Sequence, residues 1–203
     1  MLIAVCGIDG AGKTTQIKNI EKYFLSIGNK VHLTKQPTNW YRKDERVKRF
    51  LNEEINDKDI IKELALFSAA DKLRHIHEEI IPKLNEDYVV ITDRYVFSAY
   101  AYFYIRGIKD IKWLKEINRY ILEPDITFYI KTNPKVAYKR IIKRDGDNAK
   151  REEKDIEFLE KVSDVFEKQI WGETNNYYVI NGNEKVDNVK KELIDVIEKK
   201  IEI

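Results

Sequence analysis

Residues 2–16 read LIAVCGIDGAGKTTQ, an apolar run from Leu2 to Cys6 that passes without a break into Gly7, Ile8, Asp9, Gly10, Ala11, Gly12, Lys13 and Thr14. The run suits a strand buried on both faces, and from Thr14 onward apolar residues recur at helical spacing. Between them stands the pattern G-x-x-x-x-G-K-[ST], in the strand, loop and helix context that gives it meaning. The glycines let backbone N–H groups turn inward, the new helix presents its positive end, and Lys13 offers a mobile ammonium to β- and γ-phosphates. Thr14 is placed to hold Mg²⁺, with Thr15 beside it at the nucleotide. A tight turn that binds nothing is the alternative, and the four fixed positions argue against it.

Working outward, four more segments have strand character: Lys30 to Lys35, Tyr88 to Thr92, Thr127 to Lys131 and Tyr177 to Ile180. Helical pattern fills the gaps over 14–28, 44–84, 96–122, 134–143 with 153–171, and 186–202. Strands alternating with helices predict an α/β fold: a five-stranded parallel sheet with helices on both faces, of the P-loop NTPase kind, in one domain spanning 1–203. The 203 residues carry 37 Lys and Arg against 35 Asp and Glu, and that near balance removes the bulk electrostatic argument for a nucleic-acid coat or a membrane-surface protein. The lone Cys6 excludes an internal disulfide. With no signal-peptide pattern and no apolar run long enough to span a bilayer, the expectation is a cytoplasmic protein.

Strand three runs from Val89 through Thr92 into Asp93 and Arg94. A carboxylate at this point sits beside the magnesium shell in P-loop proteins. A GTPase would need N-K-x-D, but Asn29 and Lys30 are followed by Val31 and His32. A motor ATPase would carry Glu after the strand-end Asp to polarise water, and this chain has Arg94 there. An arginine suits transfer between two bound nucleotides, whose phosphates crowd negative charge into one place. Strand two ends in Lys35, Gln36 and Pro37 without an acid. The absence of a base favours a phosphate over a hydroxyl as acceptor, because a nucleoside monophosphate already presents an anionic oxygen.

Together, GIDGAGKTTQ at 7–16, DRYVFSAYAY at 93–102, PDITFYIKTNPKVAYKRI at 124–141 and the spacing of Arg151, Glu153, Phe158 and Val162 resemble thymidylate kinase over nearly the whole chain. The resemblance implies a homodimer and Mg²⁺-dependent transfer of the γ-phosphoryl of ATP to dTMP. It further implies that Asp9 addresses the acceptor sugar or a lid arginine, that Arg94 bridges donor and acceptor phosphates, and that Ser98 and Tyr102 line the acceptor. Arg151 becomes a lid arginine on the transferring phosphoryl, within a lid over about 143–154. Arg144 is a second lid candidate; Arg140 is a donor-side candidate or a structural ion-pair partner, and Asn181 ends the strand that backs the adenine.

Departures leave parts of the acceptor pocket open. Phe103 stands where the family commonly has a glutamine reading the pyrimidine edge. In FSAADKLRH, two registers compete for the family's aromatic-and-arginine pair over the base. One places Ser68 and Lys72 there, the other Phe67 and Asp71. The first is favoured for its cation, with Phe67 or a neighbouring aromatic filling the pocket. After Pro37, Arg42, Lys43 and Arg46 are all candidates for the acceptor phosphate, with Arg42 preferred. The competing function classes are a kinase for another monophosphate and a non-catalytic ATP-binding regulator.

Overall fold

In a computed structural model that describes residues 1–52, 57–149, 152–170 and 176–201, five strands form one parallel sheet. They are β1 (Leu2–Cys6), β2 (Lys30–Lys35), β3 (Tyr88–Asp93), β4 (Ile126–Lys131) and β5 (Tyr177–Asn181), in the order β2-β3-β1-β4-β5. The expected strands are all present, with β3, β4 and β5 each longer by one residue. Pairing explains one extension: Asp93 lies in register with both Val5 and Lys35, so the ladder carries it to the strand's end.

The apolar run of β1 is buried at every position, because Leu2 faces Val90 on one side while Ile3 faces Ile126 on the other. Helices flank the sheet. Helix α1 (Lys13–Ser26) packs with α10 (Val186–Ile201), and α4 (Lys58–His75), α6 (Val96–Ile105), α9 (Ile156–Val165) and α8 (Pro134–Asp145) contact one another in that order. The sequence VFSAYAYFYI makes α6 apolar nearly all round, as befits a helix covered on several sides.

Two long expected helices are interrupted. Over 44–84, α2 (Asn39–Arg42) precedes α3 (Glu45–Asn52); Asp57 then caps α4 by accepting from the N–H groups of Asp59 and Ile60. A π-helical turn at Ile76–Ile80 leads into α5 (Ile81–Asn85). Over 96–122, Gly107 at φ 116° breaks the chain between α6 and α7 (Ile111–Glu116), and Asp110 caps α7 through Trp113 N–H. Among the described residues of 143–154, α8 runs to Asp145, and 3₁₀ turns cover Gly146–Asn148 and Glu152–Lys154.

Gly182, just past β5, shows how closely the strand ends are packed. A Cβ there would lie 2.1 Å from Thr132 Oγ1 and 2.7 Å from Ile130 Cγ2. Gly182→Ala is expected to cost about 1–3 kcal/mol by overpacking, read as a lowered urea midpoint at unchanged slope.

Candidate active site

The loop between β1 and α1 is shaped by three glycines in the left-handed half of the backbone map, Gly7 (φ 146°), Gly10 (φ 76°) and Gly12 (φ 96°). Space demands glycine as well as dihedral freedom: a Cβ on Gly10 would stand 2.3 Å from the Ala137 carbonyl oxygen of α8. Lys13 lies almost wholly buried beneath this loop, and its Nζ donates to the carbonyls of Gly7 (3.2 Å) and Ile8 (2.8 Å). Burial, then repulsion from Arg94, pushes the Lys13 ammonium down to about 8, against the pull of Asp9 and Asp93.

Arg94 follows β3 with φ 68°, unusual for a residue with a side chain. The turn is held by its N–H donating to Val5 O (2.9 Å) and by the Thr92 hydroxyl donating to its carbonyl (2.9 Å). The conformation aims its guanidinium at the phosphate loop, where it donates to Gly7 O (3.3 Å) and pairs with Asp9. Tyr102 of α6 donates to the other Asp9 oxygen at 2.9 Å, and its ring lies 5.1 Å below Arg94. Burial works against ionising Asp9, but Arg94 and Lys13 outweigh it and hold the carboxyl well below the usual carboxylate range.

Asp93 Oδ1 is buried with no hydrogen-bond partner, and Thr14 stands exposed in the first turn of α1. An unsatisfied carboxylate oxygen and a free-standing hydroxyl on the loop are donors that fit a hard divalent cation.

A cavity of about 230 Å³ opens on the far side of Asp9 and Arg94. Pro37, Arg42, Lys72, Ser98 and Tyr102, all anticipated, line it together with Ser68 and Phe103. Arg42 donates its Nε to Pro37 O at 3.0 Å, and its charge is destabilised by burial and by the nearby Arg94. Lys72 is buried and spends two hydrogen bonds on Ser68, at 3.0 Å to the carbonyl and 2.6 Å to the hydroxyl. Burial pushes it down to about 8, with Asp71 opposing. Asp71 itself faces the loop after β2, accepting from the N–H (2.9 Å) and hydroxyl of Thr38. Of the two competing registers, the one pairing Ser68 with Lys72 is therefore the one that faces the cavity.

Other expected residues stand elsewhere. Phe67 is not on the cavity wall; its ring packs against Trp40 (4.7 Å) and Tyr41 (5.3 Å), with Arg46 over it at 5.4 Å. Helical geometry explains this, since Ser68 and Lys72 share a face of α4 four residues apart and Phe67 is turned off it. Arg144 is exposed and forks onto its neighbour Asp145. Arg140 donates to Gly182 O (3.1 Å) and lies close to Gly12, while Asn181 is exposed and accepts from Asn183. Arg151 lies outside the described residues.

Sequence reasoning missed Tyr41, Phe50, Arg106, Glu152 and Glu153, all on the cavity wall. Phe50 stacks on Phe103 at 6.0 Å and 21° between planes, so two aromatics occupy the side where a glutamine was looked for. No local pattern distinguishes Phe50 from an ordinary apolar residue of an amphipathic helix. Glu153 enters the sequence pattern only through its spacing from Arg151.

Comparisons with known proteins point to one family. The family model for thymidylate kinase matches residues 5–193. A thymidylate kinase of Thermoanaerobacter sp. (strain X514) is 35% identical over 196 residues, 95% of each chain. A probable thymidylate kinase of Staphylothermus marinus is 36% identical over 193 residues, 94% of this chain and 91% of its own. One from Bacillus cereus is 30% identical over 206 residues, covering 99% and 98%.

The depressed Lys13 predicts a proton linkage. Above pH 8 the free amine dominates, and a bound polyphosphate favours the ammonium, so ADP binding should take up a large fraction of one proton at pH 8.5 and little at pH 7. ADP affinity should fall as pH rises through 8. Calorimetry in buffers of differing ionisation enthalpy reads the uptake, and Lys13→Met should abolish it.

Proposed function

We propose how this site works from the premise that the chain belongs to the thymidylate kinase family. It transfers the γ-phosphoryl of ATP to dTMP, yielding dTDP and ADP. The observation that carries the site assignment is the pairing of Asp9 and Arg94 on the wall of a cavity lined by Arg42 and Lys72, with Lys13 on the carbonyls of Gly7 and Ile8 in the adjoining loop.

Donor phosphates lie along the amides of residues 7–15, and Lys13 leaves the loop carbonyls for the β- and γ-phosphates. Arg140, beside Gly12 and Gly182, and Asn181 border the nucleoside end of the donor. The acceptor enters the cavity with its phosphate toward Arg42 and Arg94. Because the acceptor oxygen is already anionic, no base is required. It bonds to the γ-phosphorus as the bond from that phosphorus to the β–γ bridging oxygen breaks, and ADP carries that electron pair away. Arg94 spans both phosphates and offsets the charge gathering between them. Asp9 keeps Arg94 in place and, through Tyr102, marks the sugar side of the acceptor.

Thr14 and Asp93 would hold Mg²⁺, which when bound neutralises β- and γ-phosphate charge. On its sequence position Arg151, with Arg144, supplies further positive charge from the 143–154 segment as a lid. At the base end, Lys72 is a donor suited to a carbonyl oxygen, and Phe50 and Phe103 supply apolar contact. The family resemblance also underlies the reading as a cytoplasmic homodimer, and a light-scattering mass near twice 24.1 kDa would support the dimer.

A panel of dTMP, dUMP, dCMP, dGMP and UMP with ATP, followed by ADP release, tests the acceptor. dTMP should give the highest kcat/KM, and another monophosphate ranking above it would reject the assignment. Lys13→Ala and Arg151→Ala should each lower kcat by about 10³-fold or more with melting little changed, and Arg94→Ala should lower kcat as far while also lowering the melting temperature, because Asp9 loses its partner. Activity within about threefold of wild type would remove that residue from the mechanism.

A further inference from the structure

We propose that Arg106 is a positioning residue, tying helix α3 and the Glu152–Lys154 turn to the end of α6 so that Tyr102 is held onto Asp9. The inference rests on the kinase reading for its kinetic consequences, while its structural premise stands independently.

Arg106 directly follows α6, and its N–H donates to Tyr102 O at 3.2 Å, so the two side chains leave one turn of helix. Its guanidinium sits 4.4 Å from the Phe50 ring centroid, 5.7 Å from Tyr102 and 5.9 Å from Phe158, and it pairs with Glu152. The side chains of Arg106 and Glu152 are 13% and 29% exposed, so water screens this pair far less than a surface one. Three parts of the chain remote in sequence, namely α3, the end of α6, and the 152–154 turn with the α9 that follows it, thus converge on one cation. Each contact fixes a plane or an axis: a flat guanidinium packs on rings in a way an ammonium does not.

The consequence passes through Tyr102. Arg94 stands 5.1 Å and Arg106 5.7 Å from its ring centroid, and its hydroxyl donates to Asp9, which in turn anchors Arg94. An unbroken series of contacts therefore runs from Glu152 through Arg106, Tyr102 and Asp9 to Arg94. Arg106 is built as a brace. Three rings and a carboxylate occupy its surroundings, whereas the bond from Arg42 Nε to Pro37 O leaves its outer nitrogens available toward the cavity.

The test compares wild type with Arg106→Gln, Arg106→Lys, Glu152→Gln and the double variant Arg106→Gln/Glu152→Gln. Arg106→Gln should lower kcat with dTMP about tenfold or more while KM for ATP stays within about twofold; Glu152→Gln should act in the same direction and less. The double variant should be no worse than Arg106→Gln alone, and Arg106→Lys should recover part of the loss. Backbone amide exchange of residues 152–158 should quicken in both Gln variants. Losses that multiply in the double variant, wild-type kcat in Arg106→Gln, or unchanged exchange would overturn the proposal. If Arg106→Gln fails to fold, Glu152→Gln decides by the same two readouts. If wild type phosphorylates no monophosphate, the kinase reading falls and amide exchange alone judges the brace.

Discussion

A residue with a side chain held at φ 68° gives up about 1–2 kcal/mol of backbone energy, so something must compel Arg94 into that shape. The compulsion is a charge balance. Asp9, on a loop packed so closely against α8 that Gly10 has no room for a Cβ beside the Ala137 carbonyl, presents a part-buried carboxylate that needs a partner. Only a chain that reverses sharply after Asp93 can bring an arginine back over β1 to meet it. The pair then fixes both ends: Arg94 also meets the Gly7 carbonyl, and Asp9 also meets Tyr102. Remove the carboxylate and two buried cations, Lys13 and Arg94, lose the anion that offsets their mutual repulsion.

The acceptor side is organised by the same rule that buried polar groups must be satisfied. Asp71 holds Thr38 twice, His75 lies within hydrogen-bond distance of both Thr34 and Gln36, and Gln36 N–H donates to Asp93 O at 3.0 Å. These contacts seat the segment after β2 against α4 and the end of β3. Pro37 and Arg42 consequently reach the cavity at a set distance from Arg94, although neither is in regular contact with the strands. The polar layer behind the cavity, made of residues with no chemical part in the reaction, is what places the residues that have one.

The sheet and the phosphate loop were readable because their signals are local. Strands buried on both faces appear as short apolar runs, and the loop's glycines are dictated by backbone geometry within a few residues. Helix interruptions at Asp57 and Gly107 were less visible, since apolar spacing continues across them and only cap geometry marks the break. The cavity wall was partly hidden for a different reason. Which side of α4 faces inward depends on its rotation against α6, so Ser68 lines the cavity as the favoured register has it, while Phe67, its neighbour in sequence, is turned onto Trp40. Phe50 and Arg106 carry no pattern at all until α3 and α6 are brought together.

The placement of β1 has a further effect, on how the chain comes together during synthesis. The phosphate loop is made before the strands that flank its own, since β1 has its neighbours at Val90 and at Ile126. Both β3 and the more distant β4 must emerge before the two edges of β1 are paired, and closing such long loops precedes any gain from their contacts. Until then an apolar strand stands with open edges, so the nascent chain offers its future nucleotide site as a sticky surface to chaperones and to other copies. A strand made before both of its neighbours is thereby completed only when the later of them arrives.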